Sequence, residues 1–374
     1  MRRFIAETPA RVAEVNARDG RRPVLRGRAV DGCAWDEYEK ALAVMEGLKG
    51  RPFDYVALSS YSSGAQDAYP AAELVEEFAA ALAHLSNGAA RTNGQRPLPL
   101  NLGIHFQGPN YLAVRYLAHL AVCRAHLLAG DGRFREALDT LFDALTFAHD
   151  LSYNTTLLTH LFGLIDYGLV LDELRLLLFR APPEEFAEVA RRLEIVDASF
   201  PDFRWTWTND ALHVRIALTD MWNGKQDAQP IPAGIAAVVG MNHLVSNAIA
   251  SIDDFEGRLA RMQGRSWSDA RRDEAAIQNQ VWASWNPITR RLGPRGAQEQ
   301  SLRRTLARLR LLRAYAMWRS TGTAPDLTDP FGGTIRSDVT GPRPRFWSRG
   351  VDGNDERGVG AWDTDTVDIV LEQP

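Results

Sequence analysis

Apolar residues recur at helical spacing through most of the chain, and the period changes only near the C-terminus. The pattern predicts helices over 35–48 and 71–85, the second framed by Pro70 and Asn87-Gly88 as start and stop signals. Residues Tyr111 to Ala129 and Arg133 to Leu151 predict an antiparallel hairpin that turns at Gly130-Asp131-Gly132. Further helices are expected over 155–179, 184–193 after Pro182-Pro183, 210–222, 235–263, 268–285 and 299–319. Segment 52–69, rich in Ser, Tyr and Gly, reads as a loop with a short strand at most, and 97–110 reads as another loop.

Beyond Arg345 the period shortens to two. Phe346-Trp347 and the alternating Val367, Ile369 and Leu371 suit two short strands. Between them Ser348-Arg349-Gly350-Val351-Asp352-Gly353-Asn354-Asp355, followed by Gly358 and Gly360, lets the backbone turn sharply and present carbonyls. The expected fold is mainly α. An irregular α-helical array fills residues 1–298, and 299–374 form a small C-terminal α+β module of one long helix, a small antiparallel sheet and an acidic loop.

Charge sharpens this picture. From Phe346 onward seven carboxylates (Asp352, Asp355, Glu356, Asp363, Asp365, Asp368, Glu372) stand against two arginines, net −5, while the other 345 residues sum to +1. A disordered acidic tail would lack aromatic and β-branched residues, and this one has them. Carboxylates gathered by turns repel one another unless a cation sits among them. Oxygen donors without His or Cys nearby favour calcium over magnesium, with its stricter octahedron, or zinc, with its nitrogen and sulfur ligands. The spacing is not that of an EF-hand. The plainer alternative is a solvated hairpin whose carboxylates keep a sheet edge soluble.

The same residues resemble the C-terminal end of the major pseudopilins of type II secretion systems. The resemblance is carried by Tyr315, Gly322 and Pro325, then Asp329-Pro330-Phe331-Gly332, then Ser348-x-Gly350-x-Asp352-Gly353, and finally Asp365-Thr366-Val367-Asp368-Ile369. It implies a structural calcium loop with ligands from Ser348, Asp352 and Asp368. Where the family has an acid two places before the final Asp this chain has Thr366, so Asp363 or Asp365 would take that part, and Asp355 completes the candidate metal set. The resemblance also implies an extracytoplasmic setting, in a bacterial envelope or surface assembly. The opening Met1-Arg2-Arg3-Phe4-Ile5-Ala6 meets Glu7 and Glu14 before any apolar stretch and is not read as a secretory signal. Within the body, Ala113, Ala118, Ala121 and Ala125 with the run Arg133 to Leu138 resemble a tetratricopeptide helix pair, although the following pair does not keep the period of about 34 residues.

Other chemistry is thin. A net charge of −4 and the absence of a basic stripe argue against nucleic acid. No run of about 18 apolar residues occurs, so no bilayer-spanning segment is expected. Cys33 and Cys123 cannot make a disulfide framework. His119 and His126 share a helix face but stand about 10 Å apart, too far for one zinc. No nucleophile elbow, phosphate loop or dinucleotide fingerprint occurs. The leading expectation is a non-enzymatic scaffold that contacts a protein partner. The alternatives are an enzyme with its site in a groove near His105, Asn110, His149, Asn154 and His160, and a small-molecule or glycan binder using Trp205, Trp207, Trp222, Trp282 or Trp285.

Overall fold

The computed structural model of the protein describes residues 2–51, 57–59, 69–98, 108–201, 203–222, 241–261, 265–286, 289, 298–341, 343–364 and 367–373. The chain is mainly helical, with its larger sheet at the C-terminus. Among the described residues its α-helices are α1 (Arg2–Asn16), α2 (Trp35–Met45), α3 (Tyr69–Glu77), α4 (Ala79–Ala89), α5 (Tyr111–Gly130), α6 (Phe134–Ser152), α7 (Leu157–Arg180), α8 (Phe186–Ala198), α9 (Phe203–Trp222), α10 (Met241–Ala260), α11 (Trp267–Ala283) and α12 (Gln298–Thr321).

The α5–α6 hairpin forms as its pattern predicts. The Asn110 side chain caps α5 by accepting from Ala113 N at 3.2 Å, and Gly132, at φ 77°, reverses the chain. Ala113, Ala118, Ala121 and Ala125 are buried, which lets the neighbouring helices approach closely. Among the described helices α5 alone is long and apolar enough to cross a membrane, yet 72% of that window is buried within the protein, as in a core helix.

Several boundaries differ from the pattern. The expected 71–85 helix is two, α3 and α4, because Phe78 leaves helical geometry at φ −101°, ψ 22°. Pro183 opens a 3-10 turn over Pro183–Glu185, so α8 begins only at Phe186 and runs to Ala198. Helix α9 starts at Phe203 and includes Trp205-Thr206-Trp207, whose aromatic and β-branched residues weaken the helical signal. Helix α1 was not expected either. The start of the helix predicted over 235–263 lies outside the described residues.

Two sheets are present among the described residues. Strands β1 (Val30–Cys33) and β2 (Arg91–Asn93) pair in parallel, a contact invisible in residues so short and polar. At the C-terminus β3 (Arg336–Asp338), β4 (Arg345–Ser348), β5 (Gly360–Ala361) and β6 (Asp368–Glu372) lie in the order β3-β4-β6-β5. The expected antiparallel pairing holds for β3–β4 and β4–β6, with Phe346 opposite Leu371 and Ser348 opposite Ile369. The sheet is nevertheless mixed, because β5 joins β6 in parallel.

One apolar cluster runs from Leu25 through α5, α6, α7 and α8 into Tyr315, Phe346, Ile369 and Leu371. Tyr315 meets Phe186 and Phe346 edge-on, with ring centroids 6.0 and 6.2 Å away. The helical body and the C-terminal sheet thus share a core, joined through α12.

Candidate functional site

The C-terminal loop is organised around Asp329. This carboxylate is buried, and its Oδ1 accepts from Phe331 N at 2.9 Å and from Ser348 Oγ at 2.8 Å. Its Oδ2 accepts from Arg349 N at 2.8 Å. The Asp-Pro-aromatic-Gly turn therefore anchors the end of β4, where the acidic loop begins. Burial raises the Asp329 pKa, partly offset by these three donors. Gly350 follows at φ 69°, and a β-carbon there would sit on the carbonyl oxygen of Val367, so only glycine lets the loop press against β6.

The candidate ligands separate into two groups. Asp355 is turned outward, accepting from Trp347 Nε1 at 3.1 Å and Arg357 N at 3.0 Å, with Arg336 Nε 3.7 Å away. Asp363 pairs with Arg308 at 2.9 Å on the surface. Ser348 is committed to Asp329. Asp365 lies outside the described residues. Asp352 closes a local turn, its two oxygens accepting from Asn354 N and Nδ2 at 3.0 and 3.2 Å.

Asp368 differs. It is fully buried at the start of β6, where Oδ2 accepts from Gly358 N at 2.8 Å and Oδ1 has no hydrogen-bond partner. Facing it is Glu356, whose Oε2 is likewise sealed from water and without a donor. The two carboxyl groups interact directly. Both titrate above the usual carboxylate range: burial raises each, the contact with Asp368 and the nearby Asp352 raise Glu356 further, and for Asp368 the hydrogen bond from Gly358 and the contact with Glu356 offset part of the rise. Among the described residues no three His, Cys, Asp or Glu side chains close into a metal cluster. The arrangement is a facing carboxylate pair with Asp352 nearby and a glycine-rich loop around it. Such a pair has two chemical options: share a proton, or take a cation completed by backbone carbonyls and water. Glu356 was counted in the tail's charge but not among the ligands. The usable signal was its place between Asp352 and Gly358.

Two tryptophans tie this loop to the helices. Trp267 Nε1 donates to Val351 O at 2.6 Å and packs edge-on against Phe331 at 5.4 Å. Trp362 Nε1 donates to Asp172 Oδ1 on α7, with the guanidinium groups of Arg175 and Arg308 5.5 and 5.3 Å from its ring.

The described polar residues considered for a catalytic groove each make hydrogen bonds within the fold. Asn110 is a helix cap, and Asn154 accepts from Arg18 at 2.7 Å and from Asn209 at 3.1 Å. His149 Nε2 lies 2.8 Å from Ser199 O, and the buried His160 holds Ser152 O at 2.8 Å through Nδ1. His105 lies outside the described residues. Of the tryptophans, Trp207 is buried in a packing cluster, Trp205 carries Arg18 3.8 Å from its ring, and Trp282 and Trp285 are exposed. Set beside known proteins, the chain matches no family model, no curated protein and no solved structure.

Proposed function

We propose that this chain is a non-enzymatic interaction protein: a helical scaffold whose pseudopilin-like C-terminal module is closed by a structural calcium ion. The buried, donorless oxygens of Glu356 and Asp368, facing each other inside a glycine-rich loop, carry this reading. Asp368 and Glu356 would be direct ligands, Asp352 a third carboxylate, and loop carbonyls the remainder. Calcium suits this donor set because it accepts several oxygens in flexible geometry. The α5–α6 hairpin, with its buried alanines, supports a tetratricopeptide-like body that presents helix faces to a protein partner. An envelope or surface assembly outside the cytoplasm fits a calcium-dependent module.

The test is thermal unfolding in calcium, in magnesium and after chelation, on the wild type and on Glu356→Gln and Asp368→Asn. A calcium-specific rise in stability that both substitutions remove supports the reading. Identical unfolding in calcium and chelator, at calcium levels that saturate weak sites, overturns it.

A further inference from the structure

Helix α11 begins on the acidic loop. Trp267, its first residue, is buried, and its indole Nε1 donates to Val351 O at 2.6 Å. The ring packs edge-on against Phe331 at 5.4 Å, and its Cδ1 lies 3.8 Å from where a β-carbon on Gly353 would stand. Arg303 of α12 adds to the contact. Its Nη1 donates to Pro330 O at 2.6 Å and its Nη2 to Arg265 O at 3.0 Å, with the guanidinium 5.6 Å from the Trp267 ring.

Trp267 also divides α11 between two cores. It belongs to the main apolar cluster, whereas Ala270, Ile277 and Val281 belong to a second one with Trp207 of α9 and Phe255 and Leu259 of α10. Ser266 caps the helix, its Oγ accepting from Asp269 N at 3.2 Å, so helical order extends to the residue that enters the loop.

The carbonyl under this indole is tied to the metal site. Val351 O and Asp352 N share one peptide plane, which turns as a unit. Asp352 is near enough to Glu356 to act on its charge, and its oxygens now accept from Asn354 N and Nδ2 at 3.0 and 3.2 Å. Turning one of those oxygens to a cation shared with Glu356 and Asp368 would fix that plane, and with it the direction in which Val351 O meets the indole.

We propose that calcium in the Glu356–Asp368 loop acts as a latch for helix α11, with Trp267 as the positioning residue that carries metal occupancy into the helical body. This rests on the calcium reading and gives the ion a regulatory role beside a structural one. Coupling between two sites is reciprocal, so a metal that seats the indole is itself held more tightly by a seated indole.

The test is amide hydrogen exchange on the full chain in calcium, in magnesium and in chelator, with calcium affinity measured by calorimetry on the wild type and on Trp267→Phe. Phenylalanine keeps most of the packing and removes the donor. Calcium is expected to slow exchange at least about fivefold in residues 350–358 and in the first two turns of α11, and magnesium is not. Trp267→Phe should raise the calcium dissociation constant about three- to tenfold and abolish the slowing in α11, while saturating calcium still slows the loop. Val122→Ala, a buried change in α5, controls for general loss of stability and should leave calcium affinity unchanged. The wild-type exchange measurement needs no variant and decides the matter if Trp267→Phe does not fold.

A loop slowed by calcium beside an α11 that does not respond overturns the latch and leaves the calcium reading standing. So does wild-type calcium affinity in Trp267→Phe, or an equal loss of affinity in Val122→Ala. Absence of calcium binding to the wild type removes the calcium reading and the latch together.

Discussion

The indole nitrogen of Trp362 donates to the carboxylate of Asp172, tying the C-terminal loop to the middle of α7 across 190 residues of sequence. The guanidinium groups of Arg175 and Arg308 lie 5.5 and 5.3 Å from the same ring, and the Trp362 backbone oxygen accepts from Arg308 Nη2 at 3.0 Å. Removing the ring should cost about 3–5 kcal/mol, as expected for truncating a buried aromatic side chain. Trp362→Phe keeps most of the packing and loses the donor to a charged acceptor, which should cost about 1–3 kcal/mol. Urea unfolding gives both numbers. A loss below about 0.5 kcal/mol for Trp362→Ala would place it with ordinary surface substitutions and show that the loop is held elsewhere.

The carboxylate pair predicts opposite pH behaviour with and without metal. Both folded pKa values are raised, so the pair's contribution is fully present below the ordinary carboxylate range and is lost as pH rises through the raised values. In chelator, Glu356→Gln should therefore be more stable than the wild type at neutral pH, and the gap should close on acidification. Calcium binds the deprotonated pair, and at about a hundred times its dissociation constant should add about 2.7 kcal/mol to the wild type and almost nothing to the variant. Paired melting curves between neutral and mildly acidic pH decide this. A variant that is less stable than the wild type in chelator would mean that the pair is not strained.

Helix positions and the C-terminal strands were legible because their periods are strong, as in α5, α6 and β6. The kink at Phe78 and the β1–β2 pair were not, since one depends on tertiary packing and the other on strands of three and four residues. The acidic loop was recognisable from its glycines and charge. Which carboxylates converge was not, because Asp355 and Asp363 turn toward Arg336 and Arg308, arginines that lie far from them in sequence. Glu356 and Asp368 face each other only because Gly350 and Gly358 fold the loop onto β6.

Two glycines should respond in opposite directions. Gly350 holds φ 69° with the Val367 carbonyl where a β-carbon would go, so Gly350→Ala adds backbone strain to a collision and should cost at least about 2 kcal/mol. Gly168 has helical geometry and open space, so Gly168→Ala should raise stability by about 0.5–1 kcal/mol through helix propensity. Urea midpoints measured side by side test both. Destabilisation by Gly168→Ala would show that the space beside Gly168 is filled in solution.

His160 should make the protein sensitive to mild acid. It is fully buried, its Nδ1 proton serves Ser152 O, and burial lowers its pKa from 6.5 to about 4. The unfolded chain takes up the proton first, so the stability tied to the neutral ring is present above pH 6.5 and drains away as pH falls toward 4. The shift corresponds to about 3 kcal/mol across that window. His160→Asn keeps an N–H for Ser152 O but cannot titrate. It should start lower at neutral pH, for lost packing, and then fall less steeply. Urea unfolding at several pH values between 7 and 4 compares the slopes. Parallel lines for variant and wild type would mean that the acid sensitivity comes from another group, of which the buried His119, also lowered to about 4, is the first to examine.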